Sequence, residues 1–308
     1  MNRYLNLLKD IMENGIDRPT RAKINGENIA ARTVFGREMR FDLSRGFPIV
    51  TTKKVSFRLV ALELAGFIAA TRNVYDFQKV DCHIWDGNAF ADYWKPYAEF
   101  NGDLGRIYGV PWREYISPWD GSKIDQLRHA VDLIKSDPNS RYMVVDSWVP
   151  SDIYGGKRKV CLPPCPMNFH FSVLGEKLHL KMVQRSCDSF LGVPFNISSY
   201  ALLLSLIAHT CNIRPGEFIH SLNDTHIYEN HFEQIKEQLS RKPYPLPRLW
   251  INPEIKDIDD FRLDKMVQRI ETESQFIQEM RKPITIIDDY VKLIDYQSHP
   301  TIKGEMAV

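Results

Sequence analysis

The stretch Cys161-Leu162-Pro163-Pro164-Cys165, followed by Gln184-Arg185-Ser186-Cys187-Asp188 and Gly192-Val193-Pro194-Phe195-Asn196, has the composition of a binding site rather than of an ordinary core. Two prolines ahead of Cys165 hold the chain extended and remove two backbone donors, which predicts a thiol at a stiff strand entrance. A free cysteine is more often a small buried hydrophobe. Many polar side chains follow, however, just before the apolar run 198–211, and a core strand does not carry unpaired polarity. This pattern favours a nucleophile beside a ligand.

Composition limits the class of protein. The chain has 308 residues, of which 44% are hydrophobic and 26% are charged, and its formal net charge is +1. These values are typical of a globular protein, and the small net charge argues against a general nucleic-acid or membrane-surface binder. We find neither an apolar run of membrane-spanning length nor a signal peptide, so we expect a cytoplasmic protein.

The five cysteines do not predict a disulfide framework, because their number is odd and the cytosol keeps thiols reduced. Cys161 and Cys165, taken with His226 and His231, only loosely match a zinc-ligand spacing. We therefore predict no metal.

Periodicity predicts one α+β domain over residues 1–308. Helices are predicted at 4–12, 54–70, 124–134, 198–211 and, as an inserted element, 263–281. Strand-like content occupies 29–41, 47–52, 217–222 and 284–296. Alternation on both sides of Gly175-Glu176 predicts a hairpin that joins 167–173 to 177–185. The basic segment 17–23 is predicted to be an irregular loop.

Several segments together resemble the thymidylate synthase family and its pyrimidine hydroxymethylase relatives. They follow one another across nearly the whole chain: 47–53, 83–86, 103–105 with 108–109, 162–165, 184–197 with 200–203, and 224–228. The resemblance implies an α+β fold built on a mixed sheet flanked by helices, with two copies packed sheet to sheet as a homodimer. It also implies the substrate 2′-deoxyuridine 5′-monophosphate (dUMP) and the co-substrate 5,10-methylenetetrahydrofolate.

The same resemblance implies catalytic roles. Cys165 would add to carbon 6 of uracil, which turns carbon 5 into an enolate-like nucleophile. Asn196 would read the uracil N3–H and O4, since its amide offers both an acceptor and donors. Glu63 would organise water near O4, and Tyr108 would take part in removing the carbon 5 proton. Asp188 would act at the folate.

The implied phosphate site combines Arg185 and Ser186 with Arg141 from the other subunit. It also takes one arginine from segment 17–23, where Arg18 and Arg21 are both candidates. Arg185 would in addition supply the positive potential that activates a cysteine. The remaining implied substrate contacts come from Gln184, His226 and Tyr228.

The implied folate site consists of an apolar wall for the pterin ring, lysines for the glutamate tail and a closing C-terminal segment. The pterin ring would lie on the wall and hydrogen-bond to Asp188; the wall residues are Ile84, Trp85, Leu191, Gly192 and Phe195. Lys53 and Lys303 are candidates for the glutamate tail of the folate. The last residues, including Ala307, would close over the ligand and exclude water.

Departures from the family pattern leave two product chemistries open. Pro166 replaces a histidine, Tyr142 replaces a second phosphate arginine, and Ala65-Gly66 replaces a bulkier pair, which predicts extra room near the folate. These changes favour a hydroxymethylase, whereas the complete pterin wall and the closing tail favour a synthase. An inactive nucleotide- or RNA-binding relative is disfavoured, because a binding module does not need a nucleophile such as Cys165.

Overall fold

The computed structural model describes residues 1–24, 26–272 and 283–306. Its main sheet has six strands: β1 (Ile16–Ile24), β2 (Glu27–Asp42), β5 (Val144–Asp146), β6 (Pro166–Leu174), β7 (Lys177–Asp188) and β8 (Arg214–Tyr228). Two small sheets pair β3 (Tyr115–Ile116) with β4 (Lys123–Ile124), and β9 (Arg248–Ile251) with β10 (Val291–Ile294).

The order of strands across the main sheet is β1-β2-β8-β7-β6-β5. The pair β7 and β8 is parallel, and every other neighbouring pair is antiparallel. The connection between the two parallel strands is a helix, as parallel pairing requires. The fold is therefore α+β on a mixed sheet, as predicted.

Ten α-helices are described around the sheet: α1 (Asn2–Asn14), α2 (Phe57–Ile68), α3 (Val74–Gln78), α4 (Asp86–Ala89), α5 (Gly109–Arg113), α6 (Gln126–Ser136), α7 (Pro150–Ile153), α8 (Gly192–Thr210), α9 (Phe232–Ser240) and α10 (Leu263–Thr272). The connecting helix α8 contacts β7, β8 and α2, which explains why it is apolar on nearly every side. It is long and apolar enough to cross a membrane by length and composition, but most of it is buried inside the protein, as in a core helix.

Strand alternation decides what faces α8. In β7 the buried side chains Leu178, Leu180, Met182 and Gln184 alternate with the less buried His179, Lys181, Val183 and Arg185. Because side chains alternate across a strand, the first set points to α8 and the second to the opposite face of the sheet. Gln184 thus lies on the same side as the first turns of α8.

Predictions from local sequence patterns were correct for elements whose formation depends mainly on their own residues. The hairpin around Gly175-Glu176 and the helix at the N-terminus are confirmed. The predicted helix 54–70 begins later, at Phe57, because the Ser56 side chain accepts a hydrogen bond from the Leu59 amide and caps it there. Helix α6 is capped by Asp125 in the same way.

Other predictions were wrong. Segment 17–23 is part of strand β1 and not a loop, since it pairs with β2 and the Arg32 guanidinium binds both oxygens of Asp17 at 2.7 and 2.8 Å. Residues 47–52 form no strand, α8 begins six residues before the predicted start at 198, and most of 284–290 is a 3-10 helix. The predicted inserted helix is described only as far as Thr272, and the rest of it lies outside the described residues.

Candidate active site

Cys165 is held from both sides at the entrance of β6. Its amide donates to the Tyr108 hydroxyl at 3.2 Å, and its carbonyl accepts from the Arg185 amide at 2.8 Å. The Arg185 guanidinium donates to the carbonyls of Pro164 and Pro163 at 2.9 and 2.8 Å. The stiff strand entrance predicted from the two prolines is therefore fixed further by an arginine and a tyrosine.

The surroundings of the Cys165 thiol differ from those of the other buried thiols. Burial raises the pKa of Cys165, whereas the charge of Arg185 and a hydrogen bond from Tyr108 act to lower it. The residue is still partly exposed, and all five cysteines are free. Burial raises the pKa values of Cys82, Cys161 and Cys187, none of which is exposed, to about 12. Among these four thiols, Cys165 is the accessible one.

A polar cluster surrounds Glu63, which projects from α2. Burial raises the pKa of Glu63 to about 7, and the nearby Trp85 indole opposes that shift. The geometry nevertheless leaves Trp85 Nε1 and the Tyr200 hydroxyl buried without a hydrogen-bond partner in the described chain. Burial raises the pKa values of Tyr108 and Tyr200 well above the ordinary value, with Glu63 and Cys165 adding to the shift. Both tyrosines are thus neutral, and the cluster has polar atoms left for water or a ligand.

The amide of Asn196 lies on α8 opposite Gln184 of β7. Gln184 Nε2 donates to Asn196 Oδ1 at 3.0 Å and to the Ser186 carbonyl at 2.9 Å. Gly192, one turn earlier on α8, lies close to the same amide, because a Cβ added there would sit 3.7 Å from Asn196 Oδ1 and 3.8 Å from Asp188 Cβ. Asp188, Gly192 and Asn196 therefore share one side of the helix start.

Asp188 shapes the turn into α8. Its Oδ1 accepts from the amides of Phe190 and Leu191 at 3.0 and 3.1 Å, and the residue stays half-buried. Both bonds use the same oxygen. In the described part of the chain, no hydrogen bond to the other carboxylate oxygen is found.

The residues predicted to bind the sugar lie at the end of β8. His226 Nδ1 is 2.9 Å from Asp224 Oδ1, and the His226 and Tyr228 rings meet edge to face with their centroids 5.0 Å apart. Arg18 forms an ion pair with the other oxygen of Asp224. The exposed Arg21 has no such pair among the described residues. The structure thus brings Arg18, rather than Arg21, beside the histidine.

Arg141 and Ser186 are not joined by any described contact. Arg141 is exposed just before the edge strand β5, and its neighbour Tyr142 is 80% exposed. The carbonyl of Ser186 accepts from Gln184 as described above. Arg141 is thus a solvent-exposed side chain in the described chain.

Lys53 and the C-terminal tail meet at Phe190. Lys53 is buried, donates from Nζ to the Phe190 carbonyl at 2.5 Å and lies over the Phe190 ring; burial lowers its pKa to about 7. The Glu305 carbonyl accepts from Asn230 Nδ2 at 3.1 Å and lies 2.9 Å from His231 Nε2. Lys303 is exposed, and Ala307 lies outside the described residues.

The side chains predicted for a pterin wall fit such a ring in chemical terms. Ile84, Leu191 and Phe195 are partly buried apolar groups, Trp85 carries an unpartnered N–H, and Asp188 has an available oxygen. The expected extra room at Ala65-Gly66 is wrong, because a Cβ on Gly66 would lie 2.2 Å from the Phe77 ring, which already fills that space. No group of three or more His, Cys, Asp or Glu side chains suited to a metal occurs within the described ranges.

Sequence reasoning missed two participants. Tyr200 was only part of a matching motif, and nothing local showed that its hydroxyl would be buried without a partner near Glu63. Asp224 carried a readable signal, because it precedes His226 by two residues on a strand and therefore lies on the same face.

A comparison with known protein families matches nearly the whole chain. A family model described as thymidylate synthase matches residues 2–308, essentially the entire chain. Members of this family are enzymes that use methylenetetrahydrofolate to transfer a one-carbon group to carbon 5 of dUMP. The chain belongs to the thymidylate synthase family.

Proposed function

We propose that this protein is a thymidylate synthase, which converts dUMP and 5,10-methylenetetrahydrofolate into dTMP and dihydrofolate. When bound, the folate supplies the one-carbon unit and then the hydride that reduces it. The protein supplies the nucleophile, the hydrogen bonds to the base and the exclusion of water. The proposal rests on the family membership and on the groups assembled around Cys165.

Cys165 starts the reaction as a thiolate. Its sulfur bonds to carbon 6 of uracil, and the electron pair of the C5–C6 double bond moves toward carbon 5 and O4. The Asn196 amide nitrogen donates to O4, where negative charge develops. Glu63 has a pKa of about 7 and can therefore hold or release a proton near O4 at the pH of the cell.

Tyr108 has a narrower role. Its hydroxyl is neutral and lies next to the Cys165 amide, so it is a poor base in itself. We assign it the orientation of a water molecule that accepts the proton from carbon 5. After carbon 5 has lost that proton, and the one-carbon unit has been released from the folate nitrogen and reduced by hydride, the C5–C6 double bond re-forms and expels Cys165 as the thiolate.

The observation that favours methylation over hydroxymethylation is the anchored C-terminal tail around Gly304 and Glu305. Asn230 and His231 hold the Glu305 carbonyl, and a Cβ added to Gly304 would lie 2.5 Å from the Phe190 ring and 2.8 Å from His231. The tail is therefore packed against the segment that follows Asp188. A tail in that position would keep water from the transferred carbon, which favours hydride as the second reactant.

A deoxyuridylate hydroxymethylase is the second candidate. Pro166 is buried directly after Cys165 and offers no polar side chain, where the family commonly has a histidine that orders water. A differently placed water near carbon 5 could add to the one-carbon unit and return tetrahydrofolate unoxidised.

Product analysis separates the two. The protein is incubated with dUMP and methylenetetrahydrofolate while dihydrofolate absorbance is followed, and the nucleotide product is then weighed by mass spectrometry. Dihydrofolate together with dTMP is expected. Product 5-hydroxymethyl-dUMP without dihydrofolate would replace the proposal with the second candidate, and absence of any product from folded protein would reject both.

The proposal includes a homodimer formed through the sheet face that α8 does not cover. Val183 and Ile219 are half-buried on that face, and Lys181 pairs with Glu38 there at 3.3 Å. Such a dimer would let Arg141 reach the partner's phosphate site. The variants Arg141→Ala and Cys165→Ala should both be nearly inactive alone, whereas an equal mixture refolded together should recover about a quarter of wild-type activity in mixed dimers. No recovery would place Arg141 at its own subunit's site.

A further inference from the structure

A buried histidine on β8 lies behind the amide that faces the base. His220 has no exposed surface, and its Nε2 is 2.8 Å from Gln184 Oε1. Gln184 is 2% exposed and continues the chain of bonds to Asn196 Oδ1 and to the Ser186 carbonyl. Four residues on two strands and one helix are thus joined in a single hydrogen-bonded line.

The direction of every hydrogen bond in this line follows from one backbone group. The Ser186 carbonyl can only accept, so the nitrogen of the Gln184 amide must face it. The oxygen of that amide then faces His220, and His220 Nε2 must carry the hydrogen. His220 Nδ1 is buried without a partner in the described chain, which suits an unprotonated nitrogen better than an N–H group.

The ring stays neutral under working conditions. Burial lowers the pKa of His220 to about 3. A neutral imidazole with its hydrogen on Nε2 is a fixed donor, because the other tautomer would set a lone pair against the oxygen of Gln184.

The same logic orients Asn196. Since Gln184 donates, Asn196 Oδ1 must accept, and the Asn196 Nδ2 group is directed elsewhere. Nδ2 has no partner among the described residues. A flipped Asn196 would bring two NH₂ groups together and leave buried donors unpaired, which is costly.

We propose that His220 is a positioning residue for substrate choice: by donating to Gln184 it acts together with the Ser186 carbonyl to hold the amide of Asn196 so that an N–H meets the 4-position of the pyrimidine. That orientation matches a 4-keto base and opposes a 4-amino base. The inference rests on the proposed function only in needing a pyrimidine nucleotide beside Asn196. A histidine that merely fills the core beside Phe218 would influence stability but not the choice between the two bases.

The first test measures binding and not turnover. Affinities for dUMP and dCMP are determined by calorimetry, without folate, for wild type, His220→Phe and His220→Gln. The phenylalanine keeps a flat ring without a donor, whereas the glutamine keeps an N–H of similar reach. The preference for dUMP over dCMP should fall about tenfold in His220→Phe, as expected for one buried hydrogen bond, and should largely return in His220→Gln.

The second test uses the unaltered protein. Nitrogen NMR of labelled histidine should show His220 as a neutral ring with its hydrogen on Nε2, unchanged from about pH 5 to pH 8. Hydrogen on Nδ1, or an unchanged dUMP preference in folded His220→Phe, would overturn the inference. If His220→Phe does not fold, the tautomer of His220 measured by NMR in the wild-type protein still tests the inference. Wild-type protein that binds neither nucleotide would reject the proposed function instead, and the NMR result would still judge the hydrogen-bond line.

Discussion

Two half-buried polar regions of this molecule differ in how completely their groups are paired. The ionic cluster consists of Arg113, Arg128, Asp125, Asp257 and Asp259, and the site cluster of Glu63, Trp85, Tyr108, Cys165 and Tyr200. In the ionic cluster the arginine of α6 donates to Asp257 at 2.5 and 2.9 Å and to Asp259 at 2.6 Å. The arginine of α5 donates to Asp259 at 2.6 Å and to Asp125 at 2.9 Å.

The pKa of a carboxyl group is lowered in the ionic cluster, where the group is paired, and raised in the site cluster, where it is not. Hydrogen bonds from Arg128 lower the pKa of Asp257 to about 2, so its charge is fixed at neutral pH. Burial without an ionic partner instead raises the pKa of Glu63 to about 7. Both clusters contain buried polar groups, but of the two the site cluster alone combines unpaired polar atoms with a pKa near neutrality, which is the pattern common at functional sites.

Removal of the nucleophile should have the largest effect. Cys165→Ala is expected to lower kcat by about four orders of magnitude or more, since no other group can form the bond to carbon 6, while Tm stays nearly unchanged. Cys211→Ala is the matched control, because Cys211 is also a partly exposed free thiol but lies at the far end of α8. A Cys165→Ala variant that turned over dUMP at even a tenth of the wild-type rate would end the distinction drawn here between the clusters.

The pH dependence of the free energy of unfolding should show how much the unpaired Glu63 carboxyl group destabilises the fold. Its folded pKa lies above its ordinary value of 4.5, so its contribution to stability is complete below about pH 4.5 and is lost as the pH rises through 7. The half-buried carboxylate then destabilises the fold by up to about 3 kcal/mol at high pH. Glu63→Gln should remove this pH dependence, and urea unfolding at about pH 5 and pH 8 measures it. Parallel pH profiles for variant and wild type would mean that water already solvates the carboxylate.

Sequence could predict the parts of this molecule that local patterns define. Helix α8 follows from its long apolar run, the hairpin of β6 and β7 follows from its alternation, and the prolines before Cys165 indicate its strand entrance. Strand β1 was missed because it is a strand only through its pairing with β2. Many residues of β2 also make ion pairs, which composition does not reveal. A basic segment looks the same whether it is solvated or paired.

The sequence supplied a set of candidate site residues but not the hydrogen-bonded network that joins them. Resemblance to a family supplied Cys165, Asn196 and Glu63. The bond from His220 to Gln184 joins residues that are 36 positions apart, and no spacing rule connects them. The ion pair between Arg18 and Asp224 likewise depends on where Asp224 lies in space.

Disruption of the ionic cluster should act on stability alone. Arg128→Leu leaves Asp257 and Asp259 without one donor, and we expect a loss of about 2 kcal/mol, reduced from the value for fully buried pairs because the cluster is partly exposed. Asp257 contributes stability above its ordinary pKa of 3.8, and that stability is lost as the pH falls through about 2. The KM for dUMP should not change. A raised KM together with unaltered stability would reverse the roles assigned to the two clusters.

The smallest effect tests the Arg185 charge, which opposes the effect of burial on the Cys165 thiol. Arg185→Gln removes the charge that lowers the pKa of the thiol, together with the bonds to Pro163 and Pro164, so less thiolate forms at a given pH. Alkylation of Cys165 by iodoacetamide, followed by mass spectrometry, should slow about tenfold near pH 7, with its midpoint displaced to higher pH. Arg185→Lys keeps the charge but not the planar fork that binds two carbonyls, so its midpoint should move less while labelling becomes less uniform. An equal displacement in both variants would show that the geometry of the strand entrance, and not the positive charge, sets the reactivity of the thiol.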